Sequence, residues 1–416
     1  MKKYLALVLA LVMCLSLAAC GGSTSTSGND TTENTASDTT EPAANADLKV
    51  GMICVHDENS GYDAAHISGL KAACEALGLD VNSQLIIKTG IPEDETCYDT
   101  AVDLAEQGCQ IIFSDSYGHQ DHMLRAAEEY PEITFVAATG DKANQAGLDN
   151  YKNIFTYVYE SRYVSGVVAG MKLKEMMDAG TVSDPHIGYV GAFPYAEVVS
   201  GYTAFFLGIR SIVPEAYMDV QYTNSWYDPS AEGAAADALI ARGCVIIGQH
   251  ADSTGAPSNI QAAKDGGKNV YSVGYNIDML AAAPTAALTS AQNNWEVIYQ
   301  HTLESFMAGS VDVDFAAGYA DGAVMISALG PEVAEGTAEK VAEVEAAIAD
   351  GSLKVFDCST FTVGGENPAS ILIDMDGDFA GETEGVVDGV FQESVLRSAP
   401  GFAERIDGIT ELTNEG

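Results

Sequence analysis

The chain has 416 residues, 47% of them hydrophobic, and a mean hydropathy of +0.05, so it can bury two or three cores and is not disordered. Sixty acidic residues face 19 basic ones, for a formal net charge of −41. Such a surface repels phosphate backbones, which excludes a nucleic-acid binder and a repressor with a basic reading head.

Lys2 and Lys3 precede an apolar run from Tyr4 to Ala19, short of the ~20 apolar residues of a membrane span, so residues 1–19 read as a secretory signal. Leu17-Ala18-Ala19-Cys20 resembles the lipobox of bacterial lipoproteins, which implies that Cys20 becomes the first mature residue and carries a lipid. Residues 20–47 then form a flexible tether: 11 of the 27 residues after Cys20 are Ser or Thr, and none can bury a core. The expectation is a monomer held at the extracytoplasmic face of the cell membrane by its lipid.

From residue 48 short β-rich runs alternate with amphipathic stretches. The runs are Val50–Val55, Leu85–Ile87, Gln110–Phe113, Ile133–Val136 and Ile154–Tyr159, then Ile187–Val190, Asp219–Tyr222, Val245–Ile247, Val270–Val273 and Ala286–Thr289. Between them fall helical periodicities at His66–Leu77, Glu95–Gln107, Asp121–Glu129, Arg162–Met177, Val198–Ile212, Ala231–Arg242, Trp295–Ala308 and Pro331–Ala349. This alternation predicts an α/β protein of two Rossmann-like lobes, each a parallel sheet with helices on both faces. Lobe 1 is expected over 48–160 with a return segment near 290–312, and lobe 2 over 161–285 with 313–355. Residues 356–416 form an extension without an assigned role. Of the six cysteines past Cys20, Cys54, Cys109 and Cys244 sit in apolar runs as small hydrophobes, and pairing among the six is left open.

Ligands of open parallel sheets collect at the carboxyl ends of the strands. There the chain offers Asn59 and Tyr62, Ser116 and Tyr117, Phe193, Trp226, His250 with Asp252 and Ser253, and Asn276 with Asp278. Aromatics beside carboxamides, hydroxyls and carboxylates suit a flat, polar, uncharged ligand, and the missing Arg and Lys argue against a phosphate. A planar base and a sugar fit this recipe about equally. Singly, each residue also reads as a turn former, a cap or a core aromatic, and Asp228-Pro229-Ser230 looks like a helix start.

Asn59-Ser-Gly-Tyr62, Tyr159-Glu-Ser-Arg-Tyr163, Gly188-Tyr-Val-Gly-Ala-Phe-Pro194, Asn224-Ser-Trp-Tyr-Asp-Pro229, His250-Ala-Asp-Ser253 and Gly274-Tyr-Asn-Ile-Asp-Met279 together resemble the basic membrane protein family over about residues 48–350. These are substrate-binding lipoproteins of ABC importers for purine nucleosides and bases. The resemblance implies a type I periplasmic-binding-protein fold, with two lobes joined by a three-segment hinge and a cleft that closes on ligand. It places the purine between Tyr62 and Trp226, a ligand aspartate at Asp278 and base-edge contacts near Ser116 and Tyr117, with permease subunits as partners. The lysine that grips ribose in the nucleoside branch is replaced by Gln292-Asn293-Asn294-Trp295, which tilts the expectation towards a free base such as adenine. A sugar-uptake lipoprotein, or one signalling to a sensor kinase, is the alternative.

Neither an enzyme, a cofactor nor a metal is expected. His119-Gln-Asp-His122 reads as a solvated helix start, and His250, Asp252 and Ser253 lie too close in sequence for a relayed triad. Asp374-Met-Asp-Gly-Asp378 lacks the spacing of a calcium loop and reads as a hairpin turn.

Overall fold

The computed structural model describes residues 47–375 and 380–412. The signal, the lipid site at Cys20, most of the tether and most of the expected 374–378 hairpin lie outside those residues. Among the described residues no helix is long and apolar enough to cross a membrane.

Lobe 1 is built from β1 (Val50–Ile53), α1 (Gly61–Ala76), β2 (Leu85–Lys88), α2 (Glu95–Glu106), β3 (Ile111–Ser114), α3 (Gln120–Glu129), β4 (Thr134–Ala138), the short α4 (Ala143–Ala146) and β5 (Tyr151–Thr156). Short runs of Val, Ile and Phe favour the pleated state. Side chains buried on both faces explain why those runs are continuous rather than alternating. The strand expected at 154–159 lies earlier. Val158 and Tyr159 already belong to α5 (Val158–Asp178), because Tyr157 N donates to Ala317 O at 2.7 Å and the chain leaves the first sheet there.

Lobe 2 continues with β6 (His186–Gly191), α6 (Ala196–Arg210), β7 (Tyr217–Tyr222), α7 (Pro229–Arg242), β8 (Ile246–His250), α8 (Gly255–Asp265), β9 (Tyr271–Tyr275) and β10 (Ala287–Asn293). The helix start read at Asp228-Pro229 is α7, with the Asp228 carboxylate accepting from Ser230 N and Ala231 N and Gly243 ending it at φ 103°. Helix α8 was not foreseen, since Gly255 and Pro257 look like breakers. Both sit in its first turn, where an N–H has no helical partner to lose.

The chain then returns to lobe 1 as α9 (Trp295–Met307) and β11 (Asp314–Ala317), crosses again to β12 (Val324–Ile326), and packs α10 (Thr337–Ala349) on α5. The first sheet has the order β11-β5-β4-β3-β1-β2, so the expected division at 290–312 and 313–355 is corrected. Most of β10 and all of β12 belong to the second sheet, whereas β11 pairs in parallel with β5 of the first. Three crossings near 157, 294 and 318–323 join the lobes.

Two hairpin-like pairs, β13 (Leu372–Ile373) with β14 (Thr383–Glu384) and β15 (Val386–Val387) with β16 (Val390–Phe391), precede β17 (Ile409–Leu412). Strand β17 lies parallel to β7 and completes the seven-stranded order β12-β10-β9-β8-β6-β7-β17. The extension is therefore part of lobe 2, with Phe356, Phe361, Phe391 and Phe402 in its core.

Helices α5 and α6 pack backbone against backbone. A Cβ on Gly166 would stand 2.1 Å from Phe205 O, and one on Gly208 equally close to Tyr163 O. Gly166→Ala is expected to cost about 1–3 kcal/mol by forcing the helices apart, seen as a lower urea midpoint. An unchanged midpoint would refute this close crossing.

Candidate functional site

Between the lobes lies a small pocket whose walls come almost entirely from strand ends. From lobe 1 come Val55 after β1, Asp115, Ser116 and Tyr117 after β3, and Thr139 after β4. Tyr62 joins them from the first turn of α1, which Ser60 caps by accepting from Asp63 N. Lobe 2 adds Glu197 at the start of α6, Trp226 after β7, His250 and Asp252 at and after β8, and Tyr275 at the end of β9. Among the described residues no Lys or Arg lines it.

The cleft is closed. Gly61 N donates to Asp252 O across it at 3.1 Å, and the rings of Tyr117 and Tyr195 meet at 5.8 Å. The Tyr62 hydroxyl donates to Asp115 O at 2.7 Å and its ring packs on His66, while half-buried Trp226 rests against Phe193 at 5.1 Å. Backbone strain is concentrated here: Thr139, Asn224 and Asn276 all have φ near +60°, between 57° and 63°. A β-branched Thr139 in that region is held by its surroundings.

Burial governs the electrostatics. It pushes the carboxyl of Asp115 well above the usual range, reinforced by the charge of Asp63. Asp252 is pushed up in the same way, with the charges of Asp63, Glu232 and Glu197 adding to burial. Glu197 rises to about 7 through burial, opposed by Arg162. His250 falls well below its ordinary value through burial and Arg162, so it stays neutral, with Nε2 3.3 Å from Glu197 Oε1. Arg162 lies beneath the floor, its guanidinium 3.6 Å from the Tyr275 ring centroid and Nη1 donating to Gln249 O. A cavity whose carboxyls are all pushed up by burial, beside hydroxyls and an imidazole pushed down, favours uncharged donors and acceptors over ions. Asp115 Oδ2, Thr139 Oγ1 and Tyr275 Oη are buried there without a hydrogen-bond partner.

Of the residues singled out from sequence, Tyr62, Ser116, Tyr117, Trp226, His250 and Asp252 come together on this cavity. The others stand outside its lining. Asn59 is exposed in a turn with Asp57, and Asp278, expected to hold ligand, is an exposed cap whose carboxylate accepts from Leu280 N at 2.8 Å. Ser253 is buried, its hydroxyl accepting from Gly255 N at the start of α8. Phe193 stacks on Tyr195 behind Trp226, and Asn276 orients Asp252 by donating to its Oδ1 at 2.8 Å. Gln292 and Asn293, at the missing lysine, are committed to Asn276 O and the Thr156 hydroxyl. Asp115, Thr139, Glu197 and Tyr275 were missed; their positions after β3 and β4, at the α6 start and at the end of β9 were the available signal.

His119 is not solvated as expected: it is fully buried, Nε2 bonded with Ile91 O at 2.9 Å. Ligand-type atoms of Cys54, Asp63 and Asp115 lie within 4.8 Å of one another. Burial pushes the Cys54 thiol and the Asp115 carboxyl well up, whereas Asp63, despite burial, is held below its ordinary value by hydrogen bonds with His56 and Ser60. All six described cysteines are buried and free.

Residues 50–353 match the family described as Bmp, ABC transporter substrate-binding protein PnrA-like. A putative ABC transporter glucose-binding protein of Haloferax volcanii is 36% identical over 258 residues, covering 62% of this chain and 61% of that protein. A purine-binding protein of Brucella abortus is 33% identical over 264 residues, covering 63% and 70%. The fold matches an ABC transporter solute-binding protein of Aeropyrum pernix with a TM-score of 0.62 at 16% identity, over 77% of this chain and 94% of that one. This chain belongs to the Bmp family of PnrA-like ABC transporter substrate-binding proteins.

Proposed function

We propose that this chain is the lipid-anchored, extracytoplasmic binding protein of an ABC importer, and that its cleft takes a purine nucleobase or nucleoside. The observation that carries this reading is the cavity: Tyr62 and Trp226 offer rings from opposite lobes, and carboxyls that burial pushes towards the neutral form surround them, with no Lys or Arg among the described lining residues. Base edges rich in N–H donors and ring nitrogens pair with such groups. The purine-binding relative supports the ligand class. Closure is the working step, since a ligand that bridges both lobes favours the closed state by its extra contacts there. The signal and Cys20 supply the anchor.

The glucose-binding relative favours a second reading, a sugar stacked on the same rings. Calorimetric titration of the protein, stripped of ligand by partial unfolding, separates the two. Adenine, guanine, hypoxanthine, their nucleosides, ribose, glucose and galactose form the panel. Micromolar or tighter binding of a purine, about −8 kcal/mol, is the expected result; binding of sugars alone would replace the purine reading with the second.

A further inference from the structure

The segment from residue 356 lies beyond the family match at 50–353, yet it reaches the ligand cleft. Its root is in lobe 2. Phe356 stacks on Phe402 at 4.6 Å, and buried Glu393 accepts from Ser200 Oγ, Gly401 N and Phe402 N. From there the chain bridges to lobe 1. Arg397 Nη1 pairs with Asp141 Oδ2 at 3.3 Å, and Ser398 N donates to Asp314 Oδ1 at 2.9 Å.

This bridge walls a second, outer compartment, lined by Arg397, Pro400, Gly401 and Arg405 from the extension and by Asp141 from lobe 1. Tyr117, Thr139 and Glu197 line both compartments, so the two adjoin. The Tyr117 hydroxyl also donates to Asp141 Oδ2, which ties the bridge to the inner wall. Asp141 is 3% and Arg397 6% exposed, yet Asp141 Oδ1 and Arg397 Nε have no hydrogen-bond partner, and neither has Thr139 Oγ1 beside them. Buried polar atoms normally are paired. A donor and two acceptor-capable oxygens on residues that line one compartment suit hydroxyl groups, which give and take hydrogen bonds at once. A phosphate would meet the Asp141 carboxyl that already pairs with Arg397.

We propose that the C-terminal extension is a working wall of the binding site, and that its Arg397–Asp141 pair selects ligands carrying a hydroxylated substituent on the ring seated in the inner cavity. This rests on the reading that a purine ring binds there. It predicts a glycosylated base as the preferred ligand over the free base.

Calorimetry with adenine, adenosine and ribose on the wild-type protein, Arg397→Ala and Asp141→Asn tests it, with ligand-free melting to check that each variant folds. Adenosine is expected to bind the wild type more tightly than adenine. Each variant should lose at least about tenfold for adenosine, while adenine changes less than about twofold. Asp141→Asn keeps the shape of the site and serves if Arg397→Ala does not fold. Equal losses for adenine and adenosine, no loss for either, or adenine binding the wild type more tightly would overturn the compartment while leaving the purine reading intact. A wild type that binds neither adenine nor adenosine would overturn both.

Discussion

Trp226→Ala is expected to weaken ligand binding by about 1–3 kcal/mol, roughly five- to more than hundredfold, the range found for base–aromatic stacking. Trp226 is half-buried, approached by Phe193 and Tyr195 on one side and facing the cavity on the other. Its loss should therefore leave the ligand-free melting temperature nearly unchanged. Tyr62 is a poorer probe: it is 8% exposed, packs on His66 and Trp295, and its hydroxyl holds Asp115 O. Tyr62→Ala would mix lost stacking with a core cavity of about 3–5 kcal/mol. Unchanged affinity in Trp226→Ala, measured calorimetrically, would make that ring a rim residue.

Stability of the ligand-free protein is expected to fall as pH rises from about 4.5 to about 7. Burial raises Glu197, Glu160 and Glu232 from 4.5 to about 7. Between those values each is protonated in the folded chain and ionised in the unfolded one, so the folded state binds more protons and rising pH opposes folding. At ~1.4 kcal/mol per pKa unit, one such group weakens the fold by up to about 3 kcal/mol across the window. Carboxylates held low by local hydrogen bonds, such as Asp57, Asp80 and Asp94, act in the opposite sense, and only in more acidic solution. Melting curves at pH 5, 6, 7 and 8 should show the decline, and Glu197→Gln, neutral throughout, should flatten part of it. A wild-type melting temperature that is level or rises from pH 5 to 7 would contradict this.

Much of the architecture was legible because strands such as β1 and β3 are short apolar runs and most helices carry a cap or a period. Asp228 and Pro229 announced α7 four residues before its first buried turn was complete. What was not legible depends on long-range packing. Strand β11 is only four residues, and its sheet is chosen by its register against β5. The extension carries two-residue strands whose hold comes from four phenylalanines meeting in space. At the site, sequence found the strand ends but not which side chain turns inward. Asn and Asp after a strand serve equally as caps and as ligand contacts, and Asp278 proved to be the former and Asp252 a cavity residue. Glu197 looked like an ordinary acid in a first helical turn, and only its burial in the folded chain raises its pKa to about 7.

The central claim is that a purine ring lies against Trp226, and the chain holds only two tryptophans. Titration of intrinsic fluorescence in the ligand-stripped wild type and in Trp226→Phe tests it most directly. Saturable quenching by a purine base or nucleoside in the wild type, most of it gone in Trp226→Phe, is the predicted result. Purines that leave the emission unchanged while glucose or galactose saturates the protein would contradict it.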